Sequence, residues 1–130
     1  MEKQDKLKKI LVVDDSEVQL YIVENLLKSR YEITAAKSGK EALVLLSKGF
    51  VPDLILLDVL MPEMDGWETF NRIKGISLLR DVPIAFFTSL DGEQEKTYAS
   101  RIGAADMIAK SCEGEELINR IQGILEKHSA

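Results

Sequence analysis

The stretch Leu54-Ile55-Leu56-Leu57-Asp58-Val59-Leu60-Met61-Pro62-Glu63-Met64-Asp65-Gly66 decides how the chain is read. Its unbroken apolar run, Leu54 to Leu57, follows Val51-Pro52-Asp53 and precedes a segment containing Pro62 and Gly66, the pattern of a strand buried on both faces. Asp58 ends the run. Taken on position alone, an Asp here more often closes a strand or opens a loop. A carboxylate where a buried strand runs out also lies where open α/β sheets bind their ligands, so the rest of the chain must decide.

Working outward, residues 8–13 read as a first strand ending in the acidic pair Asp14-Asp15. Ser16 with Gln19 then spells a capping box, and Val18, Ile22 and Leu26 together with Leu20, Val23 and Leu27 predict a helix with a broad buried face. Tyr31 to Ala36 reads as a second strand. Ser38 with Glu41 repeats the capping spacing, and Ala42, Leu45 and Leu46 form the inward stripe of a helix stopping near Gly49. Beyond the central strand, Trp67, Phe70 and Ile73 share one helical face that ends at Gly75. Pro83 to Phe87 is a short fourth strand leading into Thr88-Ser89. Asp91 with Gln94 predicts another helix start, with Tyr98 and Ile102 on one stripe and Gly103 as the stop. Ala105 to Ala109 is a fifth strand leading to Lys110, and Leu117, Ile121 and Ile124 or Leu125 define a last helix.

Strand and helix alternate throughout with short connections, which predicts an α/β fold whose parallel sheet is covered by helices on both faces. Asp14, Asp15, Asp58, Thr88, Ser89 and Lys110 all fall at the carboxyl ends of strands. In a parallel sheet those ends share one edge, so residues far apart in sequence converge on one cleft.

Composition narrows the function classes. The 130 residues, 45% apolar and 30% charged, suit one soluble domain with a real core. The formal charge of −5 gives no electrostatic reason to expect nucleic acid or an anionic membrane surface as a partner. Cys112 is the only cysteine, so there is neither an intrachain disulfide nor a Cys-rich zinc site, and a reducing cytoplasmic setting is consistent with this. The charged N-terminus and the lack of a long apolar run argue against a signal peptide or a membrane span. Residues 1–130 read as one domain, with 1–7 a leader and 128–130 a fraying tail.

Three carboxylates gathered in one cleft repel, each pair by about 4 kcal/mol at about 4 Å for an effective dielectric near 20. A hard divalent cation with oxygen ligands relieves this, and Mg²⁺ suits the description. Lys110 adds positive charge and Thr88 a hydroxyl, completing a pocket for a phosphoryl group. Asp58, at the centre of the sheet, is then best placed to be the nucleophile.

These residues carry a resemblance over essentially the whole chain. Ile10-Leu-Val-Val-Asp14-Asp15-Ser16, Leu56-Leu-Asp58-Val-Leu-Met-Pro62-Glu-Met-Asp65-Gly66, Thr88-Ser89 and Gly103-Ala-Ala-Asp106 running on to Lys110 resemble, in joint order and spacing, the response-regulator receiver domains of two-component signalling, the chemotaxis-type single domain included. The resemblance implies a doubly wound, flavodoxin-like fold of five parallel strands in order 2-1-3-4-5 with five helices. It implies that Asp58 accepts a phosphoryl group from a sensor histidine kinase or a histidine phosphotransfer protein. Asp15, Asp58 and the backbone carbonyl of Leu60 would hold Mg²⁺, with Asp14 acting through a bound water. Lys110 would contact the phosphoryl group, and Thr88 would move toward it. A downstream protein would read the face formed by the fourth helix, fifth strand and fifth helix, which Tyr98 borders.

The chain departs from the family pattern at several places. Met107 occupies the position where a swinging aromatic ring is common, which predicts a softened rotamer switch. Ser111 follows Lys110 where proline is usual, and because a cis non-proline bond costs about 2.5–4 kcal/mol, both isomers stay open. Leu60 and Leu90, each two residues past a site residue, replace polar side chains that could orient water, which predicts slow loss of the phosphoryl group. Trp67 and Tyr98 read as packing residues, His128 as a poor phosphotransfer candidate, and Cys112 as a thiol with no evident base. The competing readings are a phosphorylation-independent interaction module, a fragment of a larger hybrid kinase or transcription factor, an aspartyl phosphatase, and a flavin-binding protein. Leu60 stands where the phosphatase needs a second acid, and Asp14-Asp15 where the flavin protein needs hydroxyls and glycine.

Overall fold

The computed structural model describes residues 6–128. The chain runs through β1 (Lys9–Val13), α1 (Glu17–Leu27), β2 (Glu32–Ala36), α2 (Gly39–Ser47), β3 (Leu54–Leu57), α3 (Gly66–Lys74), β4 (Ile84–Thr88), α4 (Glu93–Ile102), β5 (Asp106–Ala109) and α5 (Gly114–His128), with a short 3-10 turn at Ser77–Leu79. The five strands form one sheet in the order β2-β1-β3-β4-β5. Every neighbouring pair is parallel. This is the parallel sheet that the alternating pattern predicts, in the doubly wound, flavodoxin-like order that the resemblance implies.

All four residues of β3 are buried, because a central strand meets helices on both sides. Side chains alternate between two cores. Ile10, Val12, Leu54, Leu56, Ala85 and Phe87 face α1 and α5 through Leu20, Val23, Leu27, Leu117 and Ile121. Leu11, Val13, Ile55, Leu57, Ile84 and Phe86 face α2, α3 and α4 through Ala42, Leu46, Phe70, Ile73 and Ala99. The strand order reverses between β1 and β3, which opens a crevice at their carboxyl ends.

Several local expectations are revised. On α1 only Leu20, Val23 and Leu27 are buried, whereas Val18, Tyr21 and Ile22 stay exposed. A single helix against a sheet buries one stripe, so a broadly apolar helix leaves part of its surface in solvent. β4 begins at Ile84 and includes Thr88, which is fully buried. α4 starts from Gly92, with no side-chain cap, and its inward residue is Ala99 rather than Tyr98. The two capping boxes form in part. Ser16 and Ser38 accept from the amides of Gln19 and Glu41. In the return direction, Glu41 takes the amide of Lys37, and Asp14 takes the amide of Ser16. Among the described residues every peptide bond is trans, Lys110-Ser111 included. α5 continues through His128, whose ring Nδ1 lies 3.0 Å from the Ile124 carbonyl oxygen. The remainder of the expected leader and tail, residues 1–5 and 129–130, lies outside the described residues.

Candidate functional site

Each polar residue at the carboxyl edge is placed by the strand it follows. The Asp14 amide donates to the Ala36 carbonyl and the Asp58 amide to the Val13 carbonyl, so the β1 and β3 ladders continue one residue into the site. The Lys110 amide does the same to the Thr88 carbonyl at 3.0 Å. From the other side, α3 closes directly over the end of β3. The Gly66 amide donates to the Val59 carbonyl at 2.8 Å, and a Cβ at Gly66 would overlap the carbonyl oxygen of Asp58. Only glycine fits there.

The sequence-predicted residues converge. Carboxylate oxygens of Asp14, Asp15 and Asp58 all lie within 4.8 Å of one another. Asp14 and Asp58 are buried at 2% and 3% exposure, while Asp15 is open to solvent. Lys110 Nζ reaches across the sheet to Asp14 at 2.7 Å and to Asp58 at 3.0 Å. The second oxygen of Asp58 accepts weakly from the Leu60 amide at 3.4 Å, and that of Asp14 from the Ser16 amide at 3.0 Å. The Thr88 hydroxyl accepts from the Leu90 amide at 3.3 Å. Leu60, 54% exposed, and half-buried Leu90 line a groove of about 500 Å³ with Met61, Pro62 and Trp67. Met107 is half-buried on β5, in register with Phe86 of β4. His128 stands apart at the end of α5, and Cys112 is half-buried in the loop after Lys110.

The electrostatics are unbalanced without a further cation. Burial pushes the Asp14 carboxyl above its ordinary range, with the neighbouring Asp58 charge adding to the rise. The hydrogen bonds from Lys110 and the Ser16 amide only partly offset it. At Lys110 burial opposes the charge, but hydrogen bonds to Asp14 and Asp58 outweigh it and hold the ammonium above its usual value. Three carboxylates against one ammonium leave a formal charge of −3 + 1 = −2. Clustered oxygen donors with that net charge fit a hard divalent cation.

Two contacts escaped the sequence reading. Lys110 pairs with Asp14 as well as Asp58, a consequence of strand order that no local motif encodes. Arg120 on α5 ties down β5, donating to the Asp106 carboxylate at 3.2 Å and the Met107 carbonyl at 3.3 Å. Its spacing from Glu116 was legible as a helical ion pair, but its reach to β5 was not.

Comparison with known proteins agrees with this geometry. The family model described as "Response regulator receiver domain" matches residues 10–122. The chain belongs to the response-regulator receiver family. This receiver is similar to the response regulator PleD of Caulobacter vibrioides, at 34% identity over 117 residues, covering 89% of this chain and 26% of that protein. It is similar as well to the alkaline phosphatase synthesis transcriptional regulatory protein PhoP of Bacillus subtilis, at 36% identity, covering 92% of this chain and 49% of PhoP. Among solved structures, the chemotaxis protein CheY4 of Vibrio cholerae superposes with a TM-score of 0.84 at 30% identity, covering 91% of this chain and 98% of that one. The receiver therefore spans from about a quarter to half the length of these two curated relatives. Its acidic cluster fits the phosphoryl-acceptor site of a two-component response regulator. Among the described residues no helix is long and apolar enough to cross a membrane.

Proposed function

We propose that this single receiver domain is a phosphorylation-controlled switch in which Asp58 is the phosphoryl acceptor. The observation that carries the reading is the buried Asp58 carboxylate, hydrogen-bonded to Lys110 at 3.0 Å and grouped with Asp14 and Asp15 at the carboxyl edge of the sheet. An Asp58 oxygen attacks the phosphorus of a phosphohistidine on a sensor histidine kinase or histidine phosphotransfer protein. The P–N bond breaks, the imidazole takes a proton from solvent and leaves as the neutral ring, and an acyl phosphate forms on Asp58. Asp15, Asp58 and the Leu60 carbonyl would hold Mg²⁺, with Asp14 beside them in the same cluster acting through water. The metal, when bound, would supply charge compensation for the phosphoryl oxygens and the carboxylates. Lys110 leaves its contact with Asp58 to pair with a phosphoryl oxygen, and the Thr88 hydroxyl turns toward another. Met107, beside Phe86, refills the space that Thr88 vacates.

The exposed row Val18, Tyr21 and Ile22 begins three residues after Asp15 on α1, which supports docking of the donor's helical surface there. The downstream protein reads the face of α4, β5 and α5. The net charge of −5 disfavours direct contact with nucleic acid. The domain catalyses its own phosphorylation and dephosphorylation, acts on no metabolite and works in the cytoplasm. Leu60 and Leu90 place apolar side chains at the mouth, which themselves orient no attacking water, so the acyl phosphate is long-lived. Replacing them together, Leu60→Asn with Leu90→Glu, should speed its decay by about ten-fold or more. An unchanged decay rate removes their rate-tuning role.

Intact mass after incubation with a small-molecule phosphodonor tests the central claim. A Mg²⁺-dependent gain of one phosphoryl group that vanishes in Asp58→Asn is expected. No gain in folded, Mg²⁺-binding protein would overturn the acceptor reading in favour of a phosphorylation-independent interaction module.

A further inference from the structure

α4 is the most weakly seated helix beside the site. Ala99 is the one buried residue of its ten, and Gly92 offers no side-chain acceptor to its first turn. Tyr98, 44% exposed, instead leans edge-on against Trp67 of α3, with ring centroids 4.9 Å apart and planes at 85°. Trp67 meets Phe86 in turn, at 4.7 Å and 61°. Phe86 precedes Thr88 by two residues and so shares its face of β4. Leu90, whose amide donates to the Thr88 hydroxyl, lines the same groove as Trp67. Both routes away from Thr88, through Phe86 and through Leu90, thus arrive at Trp67, and Tyr98 connects that ring to α4.

We propose that the Tyr98–Trp67 contact is a latch that holds α4 in its resting position and opposes phosphoryl entry at Asp58. The inference rests on the acceptor reading above and adds to it a chain-specific element that sets the resting equilibrium. Movement of the Thr88 hydroxyl toward Asp58 lengthens its bond to the Leu90 amide, already 3.3 Å, and draws Leu90 along Trp67. The edge contact with Tyr98 is then lost and α4 is free to shift. By reciprocity, whatever the latch contributes to the resting state is subtracted from the affinity for a phosphoryl group. Weakening the latch must therefore tighten phosphoryl binding, a gain that mere structural damage does not produce.

The test is calorimetric titration of beryllofluoride, a phosphoryl mimic, with Mg²⁺ into the wild type, Tyr98→Ala and Tyr98→Phe, with acyl-phosphate formation followed separately by intact mass. Tyr98→Ala should bind about two- to ten-fold more tightly, the range set by one aromatic pair, while Tyr98→Phe, which keeps the ring edge, should match the wild type. Trp67, the only tryptophan, should change its fluorescence on saturation in the wild type and less in Tyr98→Ala. Equal or weaker binding by Tyr98→Ala, in protein whose mass shows normal phosphorylation, overturns the latch and leaves the acceptor reading intact. Tightening by Tyr98→Phe equal to that of Tyr98→Ala also overturns it. Absence of any phosphoryl mass gain in the wild type overturns the acceptor reading and the latch together.

Discussion

α3 and α4 are nearly equal in length, nine and ten residues, and each follows a strand that ends in a site residue, yet they are held very differently. α3 is capped by Asp65, whose carboxylate accepts the Glu68 amide at 3.0 Å, and it buries Gly66, Thr69, Phe70 and Ile73. Phe70 stacks on Phe86 at 5.5 Å, and Gly66 lies against the Asp58 backbone. α4 has no side-chain cap and one buried residue. The contrast separates two jobs. Under the proposed function, an acceptor at Asp58 is held in a fixed geometry by a helix anchored in the core, whereas a helix that reports its occupancy moves at small cost.

The sharpest way to break the contrast is at the two aromatic side chains. Phe70→Ala should cost about 3–5 kcal/mol in urea unfolding, since it empties a fully buried site. Tyr98→Ala should cost no more than about 1.5 kcal/mol, the range of a single aromatic pair. Similar losses at both positions would mean that α4 is as firmly seated as α3.

The acidic edge between the two helices gives the next largest effect. Because burial raises the Asp14 carboxyl, its contribution to stability is fully present below the ordinary carboxylate value of 3.8 and is lost as pH rises through its elevated value. At neutral pH the charged Asp14 is therefore a cost in chelator-treated protein. Asp14→Asn should raise metal-free stability by about 0.5–2 kcal/mol at pH 7, and the gain should shrink on acidification, while Mg²⁺ affinity falls. Lys110 behaves oppositely at neutral pH. Its value is raised above 10.5, so its pairing remains fully in force and is lost only in alkali. Thermal melts across pH with and without Mg²⁺ check both signs.

Two capping changes complete the comparison. Asp65→Ala should cost about 1 kcal/mol, because the Glu68 amide loses its acceptor. Gly92→Ser should add a few tenths of a kcal/mol at most, as glycine is already a tolerable N-cap. Both are read by chemical denaturation. A larger response to Gly92→Ser than to Asp65→Ala would reverse the ranking of the two helices.

Much of this was legible in the residues. The run Leu54–Leu57, the strand-end positions of Asp14, Asp15, Asp58, Thr88 and Lys110, and the serine caps at Ser16 and Ser38 are local signals, and each appears in the structure as read. The errors fell where packing decides. Val18 and Ile22 are as apolar as Leu20 and Val23, and only the orientation of α1 on the sheet determines which stripe is buried. Asp91 with Gln94 looks like a cap, but the backbone after Thr88 brings Gly92 to that position.

The sequence by itself determined the alternation of elements, the order in which polar residues meet one edge, and the family. The first two rest on periodicity and spacing, which act over a few residues, and the family on the resemblance of motifs spread from Ile10 to Lys110. Only the tertiary structure decided that Lys110 bridges Asp58 and Asp14 from two and three strands away, that Gly66 presses on the Asp58 carbonyl, and that Trp67 stands between Phe86 and Tyr98. Such contacts join residues up to 96 positions apart, as in Asp14 to Lys110 (110 − 14), and depend on the order and spacing of strands in the sheet. No local pattern encodes that order.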